Sequence, residues 1–214
     1  MHPHPNPMIG AGVLNNGVYV GSVLTTQAPG NNITFPGGAA AGDLAIVAVT
    51  FGGTSAITFS ASGWNQLYQM IESGTSQTMR IGWKVLTAGD ISSPGTVGGY
   101  NDTGTSPFVC AVFRNCTSVS LGSGIADATG TTLTIPGFAK GYLNKFCLSL
   151  ASDRDTGAIG TEATFTSIGT VGGASIYAIG AAYSKTYVSG ANSVWSSMPN
   201  GSSRVSGGCL LELT

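Results

Sequence analysis

One stretch constrains this chain more than any other: Gly42-Asp43-Leu44-Ala45-Ile46-Val47-Ala48-Val49-Thr50-Phe51, a turn dipeptide running into an almost unbroken apolar, β-branched segment. Side chains alternate across a strand, so Leu44, Ile46 and Ala48 share one face while Ala45, Val47, Val49 and Phe51 share the other. Neither face is polar, which predicts a central strand with no solvated side.

The segment Gln77 to Leu86 carries the cleanest period of two, with Met79, Ile81, Trp83 and Val85 on one face and Arg80, Gly82 and Lys84 on the other. That pattern predicts a half-buried strand. Further strands are expected at Val18 to Leu24, Ile33 to Phe35, Ile57 to Ser60, Trp64 to Ile71, weakly near Val97, and at Phe108 to Phe113. Leu133 to Pro136, Lys145 to Ala151, Ala163 to Ser167, Ser175 to Tyr183 and Val205 to Leu213 continue the series. Turn signals such as Pro29-Gly30-Asn31-Asn32 and Thr87-Ala88-Gly89-Asp90 separate them, and Asn115 to Ala128 reads as Gly and Ser turns. Short strands spaced by turns without a helical period are the grammar of a sandwich or barrel. The strong strand starts at Asp43, Gln77 and Phe108 are echoed at Lys145, Ser175 and Val205. Two interleaved halves would give an all-β, two-sheet, jelly-roll-like sandwich spanning residues 17–214 as one domain.

Residues 1–16 are expected to form an extended N-terminal arm. His2, Pro3, His4, Pro5 and Pro7 belong to a stretch whose prolines remove backbone donors and favour a polyproline-like path. With neither a basic n-region nor a long apolar h-region, the start does not read as a secretory signal. Its expected role is assembly, through docking on a partner.

Only 8% of the residues are charged, against roughly 25% in ordinary soluble domains, so the surface must be built from Ser, Thr, Asn, Gln and Gly. A net charge of -1 supplies no basic field for nucleic acid, and weak charge repulsion eases contact between identical copies. The positive mean hydropathy comes without an uninterrupted apolar window long enough to span a bilayer, so no membrane insertion is expected.

The only two histidines are His2 and His4. Ser-His-Asp, Cys-His and multi-His zinc arrangements therefore have no base or ligand set within the sandwich, and no catalytic residue, cofactor or resident metal is expected. A metal shared by several His-x-His arms would need an oligomer to complete it. Asp153-Arg154-Asp155 is the densest charge cluster; its two carboxylates are too few for calcium and suit a turn. Cys110, Cys116, Cys147 and Cys209 read as buried thiols, with a Cys110 to Cys116 bridge as the alternative.

Trp195, Tyr187 and Tyr183 lie near turns, where aromatic rings can stack on sugars. They are the candidate glycan contacts, weighed against core packing. Trp64 is expected to pack on the sandwich edge. The small residues of Ser175 to Tyr183 and Val205 to Leu213 fit either close packing between subunits or a tight core beneath a loop.

The series Gly42-Asp43-Leu44, Ser62-Gly63-Trp64, Trp83-Lys84-Val85-Leu86-Thr87-Ala88-Gly89-Asp90 and Cys110-Ala111-Val112-Phe113-Arg114-Asn115 resembles a β-sandwich module of bacteriophage and prophage structural proteins, best over residues 40–120. The resemblance implies a sandwich in a virion, assembled in the bacterial host cytoplasm, with identical copies and other capsid or tail subunits as partners. The function it implies is non-enzymatic assembly or decoration on capsid or tail. The alternative is a carbohydrate-binding attachment module of tail-fibre or receptor-binding type, contacting a cell-surface glycan.

Overall fold

The computed structural model describes residues 17–53, 55–71, 77–100, 105–128, 130–139, 146–154, 159–172, 177–198 and 206–214. The whole expected arm, with His2, Pro3, His4, Pro5 and Pro7, and also Asp155, lie outside the described residues. The first half of the chain contributes β1 (Val18–Gln27), β2 (Leu44–Gly52), β3 (Thr58–Phe59), β4 (Asn65–Ile71), β5 (Gln77–Val85), helix α1 (Ala88–Ser92), β6 (Val97–Gly98) and β7 (Ser106–Arg114). The second half contributes β8 (Val119–Ala128), β9 (Leu133–Ile135), β10 (Phe146–Asp153), β11 (Thr166–Gly172), β12 (Ala178–Ser184), β13 (Ser193–Trp195) and β14 (Ser206–Leu213).

The expected two-sheet all-β sandwich is present. One five-stranded antiparallel sheet has the order β1-β7-β2-β5-β4, the other β11-β12-β10-β14-β8. Read backwards, the second sheet runs β8-β14-β10-β12-β11, which is the order of the first with each strand replaced by its counterpart from the second half. The halves are thus repeated but not interleaved, contrary to the jelly-roll expectation: each half builds a sheet of its own. The packing contacts obey the same exchange, β4 lying against β8 and β1 against β11, so the halves are related by a pseudo-twofold axis.

Local detail follows the repeat. The register against the neighbouring strand slips between Gln66 and Tyr68 in β4, and between Ser167 and Gly169 in β11. Buried Ser106 and Ser206 open the equivalent strands β7 and β14. Ala28-Pro29-Gly30-Asn31-Asn32-Ile33-Thr34-Phe35-Pro36-Gly37 aligns with Ala128-Thr129-Gly130-Thr131-Thr132-Leu133-Thr134-Ile135-Pro136-Gly137, and Gly30 and Gly130 both have positive φ, at 86° and 106°.

Leu44, Ile46 and Ala48 of β2 face Leu148 and Leu150 of β10 in one inner cluster, together with Met79, Ile81, Phe113, Ile179 and Leu211. Within this apolar layer Thr50 donates a hydrogen bond to Ser152 at 3.0 Å, and Gln77 donates to the same hydroxyl at 2.5 Å. Thr50 and Ser152 occupy equivalent positions of β2 and β10, so the two halves bond to each other through the same site.

The outer faces are apolar too, and the chain covers both. Ala45, Val47, Val49 and Phe51 lie beneath Ile33, Ile57, Val97 and Tyr100 on the first sheet, and Cys147, Ala151, Ala178 and Leu210 lie beneath Leu133, Ile135 and Trp195 on the second. The small antiparallel pairs β3-β6 and β9-β13 sit in these covers. β2 is buried on both faces, as its sequence requires.

The half-buried expectation for β5 is corrected. Arg80 and Lys84 are buried and Gly82 lies under the Phe59 ring, because carbonyls of the covering loop accept from both cations: Ser55 from Arg80 at 3.1 Å and Ser62 from Lys84 at 2.6 Å. The small-residue faces are filled from within the chain. Gly180 lies under Trp195, where an added Cβ would stand 2.7 Å from the indole, and Gly207 lies against Met70. Other elements differ from expectation: residues 119–128 form a ten-residue strand, Thr87-Ala88-Gly89-Asp90 opens a short helix, Ser193–Trp195 adds a short strand, and the strand expected at Ile33 to Phe35 is absent, the neighbouring Asn32 making only an isolated bridge with Thr96. No helix among the described residues is long and apolar enough to cross a membrane.

Replacing Gly180 by Ala should therefore lower the stability measured by denaturant unfolding by about 1–3 kcal/mol, the range for overpacking a filled core. Gly37→Ala, where nothing stands within 4 Å of the added Cβ, should change it by less than about 0.5 kcal/mol.

Candidate functional site

A concave surface among the described residues lies on the outer side of the first sheet. It is a groove of about 400 Å³ between the β1–β2 connection, which supplies Asn32, Ile33, Thr34, Phe35, Pro36 and Ala39, and the α1–β6 segment, which supplies Ile91 and Pro94. No charged side chain lines it. Ile91 is 39% exposed at its rim, one of a few large apolar side chains among the described residues that face solvent.

Two ion pairs hold the walls. Asp43, buried in the turn before β2, accepts from Arg114 Nε and Nη2 at 2.8 Å each, and from the Ala40 backbone at 2.9 Å. Arg114 also donates to the Gly38 carbonyl at 3.0 Å, so the loop from Pro36 to Asp43 is pinned to the end of β7. A planar guanidinium bonded in this forked way sets direction as well as distance. Its hydrogen bonds with Asp43 raise the guanidinium pKa above its ordinary value.

The opposite wall is α1. Thr87 caps it: its hydroxyl accepts from Asp90 N, and Asp90 Oδ2 accepts in return from the Thr87 backbone, a capping box. Asp90 Oδ1 accepts from Lys84 at 2.6 Å, both side chains being at most one-tenth exposed. Burial pushes the Asp90 carboxyl up, but the hydrogen bonds from Lys84 and Thr87 outweigh it and hold the group below its ordinary 3.8.

The second half closes the matching place. Phe138 aligns with Gly38 and stacks on Tyr187 at 5.1 Å between ring centroids. The Phe138 backbone donates to the Tyr187 hydroxyl at 3.0 Å, and Gly190 donates to the Phe138 carbonyl at 2.8 Å. In the first half the aligned residue is Gly38, where an added Cβ would meet only Val20, at 3.7 Å.

The three expected glycan contacts are not brought together on the surface. Trp195 is fully buried, its indole N–H donating to Ser149 Oγ at 2.8 Å. Tyr187 is buried and donates to the Ala191 carbonyl at 2.8 Å. Tyr183 is half-buried and stacks on Tyr19 at 4.6 Å. The exposure considered for Trp195 is thus corrected: β13 carries it into the cover of the second sheet, where Gly180 makes room for the ring. Trp64 lies half-buried at the sheet margin, stacked on Phe59 at 4.4 Å.

Glu162, Asp153 and the four thiols are buried. Buried Glu162 accepts from the backbone of Thr164 and Phe165, and from Val194 at 3.0 Å. β10 continues through buried Asp153, which corrects the expected turn there. No group of three or more His, Cys, Asp or Glu among the described residues could hold a metal. All four cysteines are free and buried. Cys110 faces the outer cluster and Cys116 the inner one, so the alternative bridge between them does not form. Burial pushes their thiols up to about 12 and about 11.

Against protein-family models, curated proteins and solved structures, the chain matches none.

Asp90→Asn should cost about 3 kcal/mol in chemical unfolding at neutral pH, because it leaves the Lys84 ammonium buried without its counter-charge. A carboxyl whose folded pKa is depressed stabilises the fold above its unfolded pKa, here 3.8, and that contribution disappears as pH falls through the lower folded value. The gap between wild type and variant should therefore narrow on acidification from pH 5 to pH 2, and a gap independent of pH would contradict the assignment.

Proposed function

We propose that the chain is a non-enzymatic bacteriophage virion structural protein, displayed on capsid or tail and acting through protein–protein assembly in the host cytoplasm. The observation that carries this reading is where the phage-like motifs fall. Gly42-Asp43 and Arg114 form the clamp on one wall of the open groove, and Lys84 with Thr87-Ala88-Gly89-Asp90 forms the clamp on the other. The residues behind the resemblance therefore frame an uncharged groove lined by both polar and apolar side chains. Such a surface suits recognition of a partner chain better than chemistry on a small molecule.

The low charge of the chain supports the same reading, since surfaces that meet identical or related subunits at high local density gain from weak mutual repulsion. Partners are then further copies and other capsid or tail subunits, reached through the arm containing His2, Pro3, His4, Pro5 and Pro7. The small-residue strand faces are occupied within the chain itself and leave that contact to the arm and the groove. Attachment to a cell-surface glycan is the second reading; it is favoured only by the half-buried Tyr183 stacked on Tyr19.

Removing residues 1–7 should leave the melting temperature within about 2 °C, a shift corresponding to at most about 1 kcal/mol for a domain of this size. Incorporation into particles, read by mass spectrometry of purified virions, should fall at least tenfold. Unchanged incorporation would count against assembly through the arm, absence of the full chain from particles would count against a virion role, and binding on a glycan array would favour the attachment reading.

A further inference from the structure

A sheet edge leaves backbone N–H and C=O groups without strand partners, and natural edges are guarded by charges, prolines or bulges. The edges here are β1 and β4 in one sheet and β11 and β8 in the other, with β1 against β11 on one flank and β4 against β8 on the opposite flank. Their regularity differs. In β8 the register against its neighbour is broken twice, and the unbroken runs that end β4 and β11 cover only residues 68–71 and 169–172. β1 slips once, between Tyr19 and Gly21, and then pairs without interruption from residue 21 to residue 27 against residues 112 to 106.

β1 is also unguarded along that run. Its sequence, Val-Tyr-Val-Gly-Ser-Val-Leu-Thr-Thr-Gln, holds no charge and no proline, and neither does β11 beside it in the other sheet. Among the described residues, no backbone group of β1 bonds to backbone outside the pairing with β7. Side-chain donors reach only its far end, Thr25 to the Thr26 carbonyl at 3.4 Å and Tyr100 to the Gln27 carbonyl at 3.3 Å.

The segment complements itself. Two antiparallel copies of residues 21–27 overlap fully when Leu24 lies opposite Leu24, which sets Val23 across from Thr25 and Ser22 across from Thr26. Directly opposed β-branched and hydroxyl side chains are favourable cross-strand pairs, whereas like charges there would repel. With a net charge of -1 spread over the whole chain, two copies meet at this flank without an opposing field.

We propose that the chain forms a twofold dimer in which β1 of one copy adds antiparallel to β1 of a second copy, so that the two first sheets become one continuous sheet. Strand addition of this kind draws its affinity from main-chain hydrogen bonds and its selectivity from the alternating side chains. Because the same strand is used on both sides, the contact is isologous and closes at two copies. It goes beyond the assembly reading, since the dimer forms in solution whether or not the protein enters a particle.

The test is sedimentation of the full chain over a hundredfold range of concentration, beside Val23→Lys, Thr25→Lys, Val23→Glu and the form lacking residues 1–7. Asn65→Lys, at an exposed position of β4, puts the same charge on the opposite flank. Val23 and Thr25 are both half-buried, and circular dichroism establishes which variants fold, so either lysine carries the test if the other does not. The expected result is a monomer–dimer equilibrium whose dissociation constant rises at least tenfold with either lysine, and stays within about twofold with Asn65→Lys or without residues 1–7. Mixing Thr25→Lys with Val23→Glu, whose charges then face each other across the axis, should restore dimers that neither forms alone. A full chain that stays monomeric, species that continue beyond the dimer, association untouched by both lysines, or association lost with residues 1–7 would each overturn the proposal, as would a mixture that does not reassociate. Presence in particles is decided separately by mass spectrometry of virions, so the two readings fail independently.

Discussion

The burial of one sheet against the other is the interaction on which the rest depends. Leu44, Ile46 and Ala48 from the first half and Leu148, Leu150 and Leu211 from the second lose water only when the two sheets meet. At about 25 cal/mol for each Å² of apolar surface removed from water, the face between the sheets outweighs any single polar contact in the molecule. The Thr50–Ser152 bond is a small energy by comparison, but Ser152, buried in an apolar layer, is held by both Thr50 and Gln77 and keeps these bonds only in one register. It fixes how the halves slide on each other, and its place at equivalent positions makes each half the partner that its copy would be in a symmetric dimer.

Because both faces of each sheet are apolar, the connections must act as covers as well as links. The two covers began from one pattern, still visible in Ile33-Thr34-Phe35-Pro36-Gly37 and Leu133-Thr134-Ile135-Pro136-Gly137, and they differ where they meet the turn after β5 or β12. In the second half Phe138 and Tyr187 close the seam. In the first, Gly38 provides no ring, Thr87 caps a helix instead, and charged pairs take over the task of holding the loop ends.

Much of this fold was legible from local pattern. β2 declared itself by two apolar faces, and the strand starts of β2, β5 and β7 with their echoes identified the repeat. β8 was obscured because Gly122, Gly124 and two serines dilute its alternation of Val119, Leu121 and Ile125. The second face of β5 was misjudged because Arg80 and Lys84 are satisfied by carbonyls of a loop more than twenty residues away in the chain, a pairing that no local period encodes. Trp195 illustrates the same limit, since what buries it is Gly180 on another strand. The groove depends on a loop near residue 36 meeting a helix near residue 91, and only the Thr-x-Pro-Gly repeat, with Gly38 set against Phe138, hinted at it in one dimension.

The central claim is that the molecule is two equivalent sheets, neither able to keep its inner face dry without the other. The direct measurement is to express residues 1–115 and 116–214 as separate chains and record the unfolding of each alone and of the mixture by circular dichroism. Each alone is expected to lack a cooperative transition as a monomer, and the equimolar mixture to recover a β-rich spectrum with a single cooperative melt. A half that folds cooperatively as a monomer on its own would contradict the account.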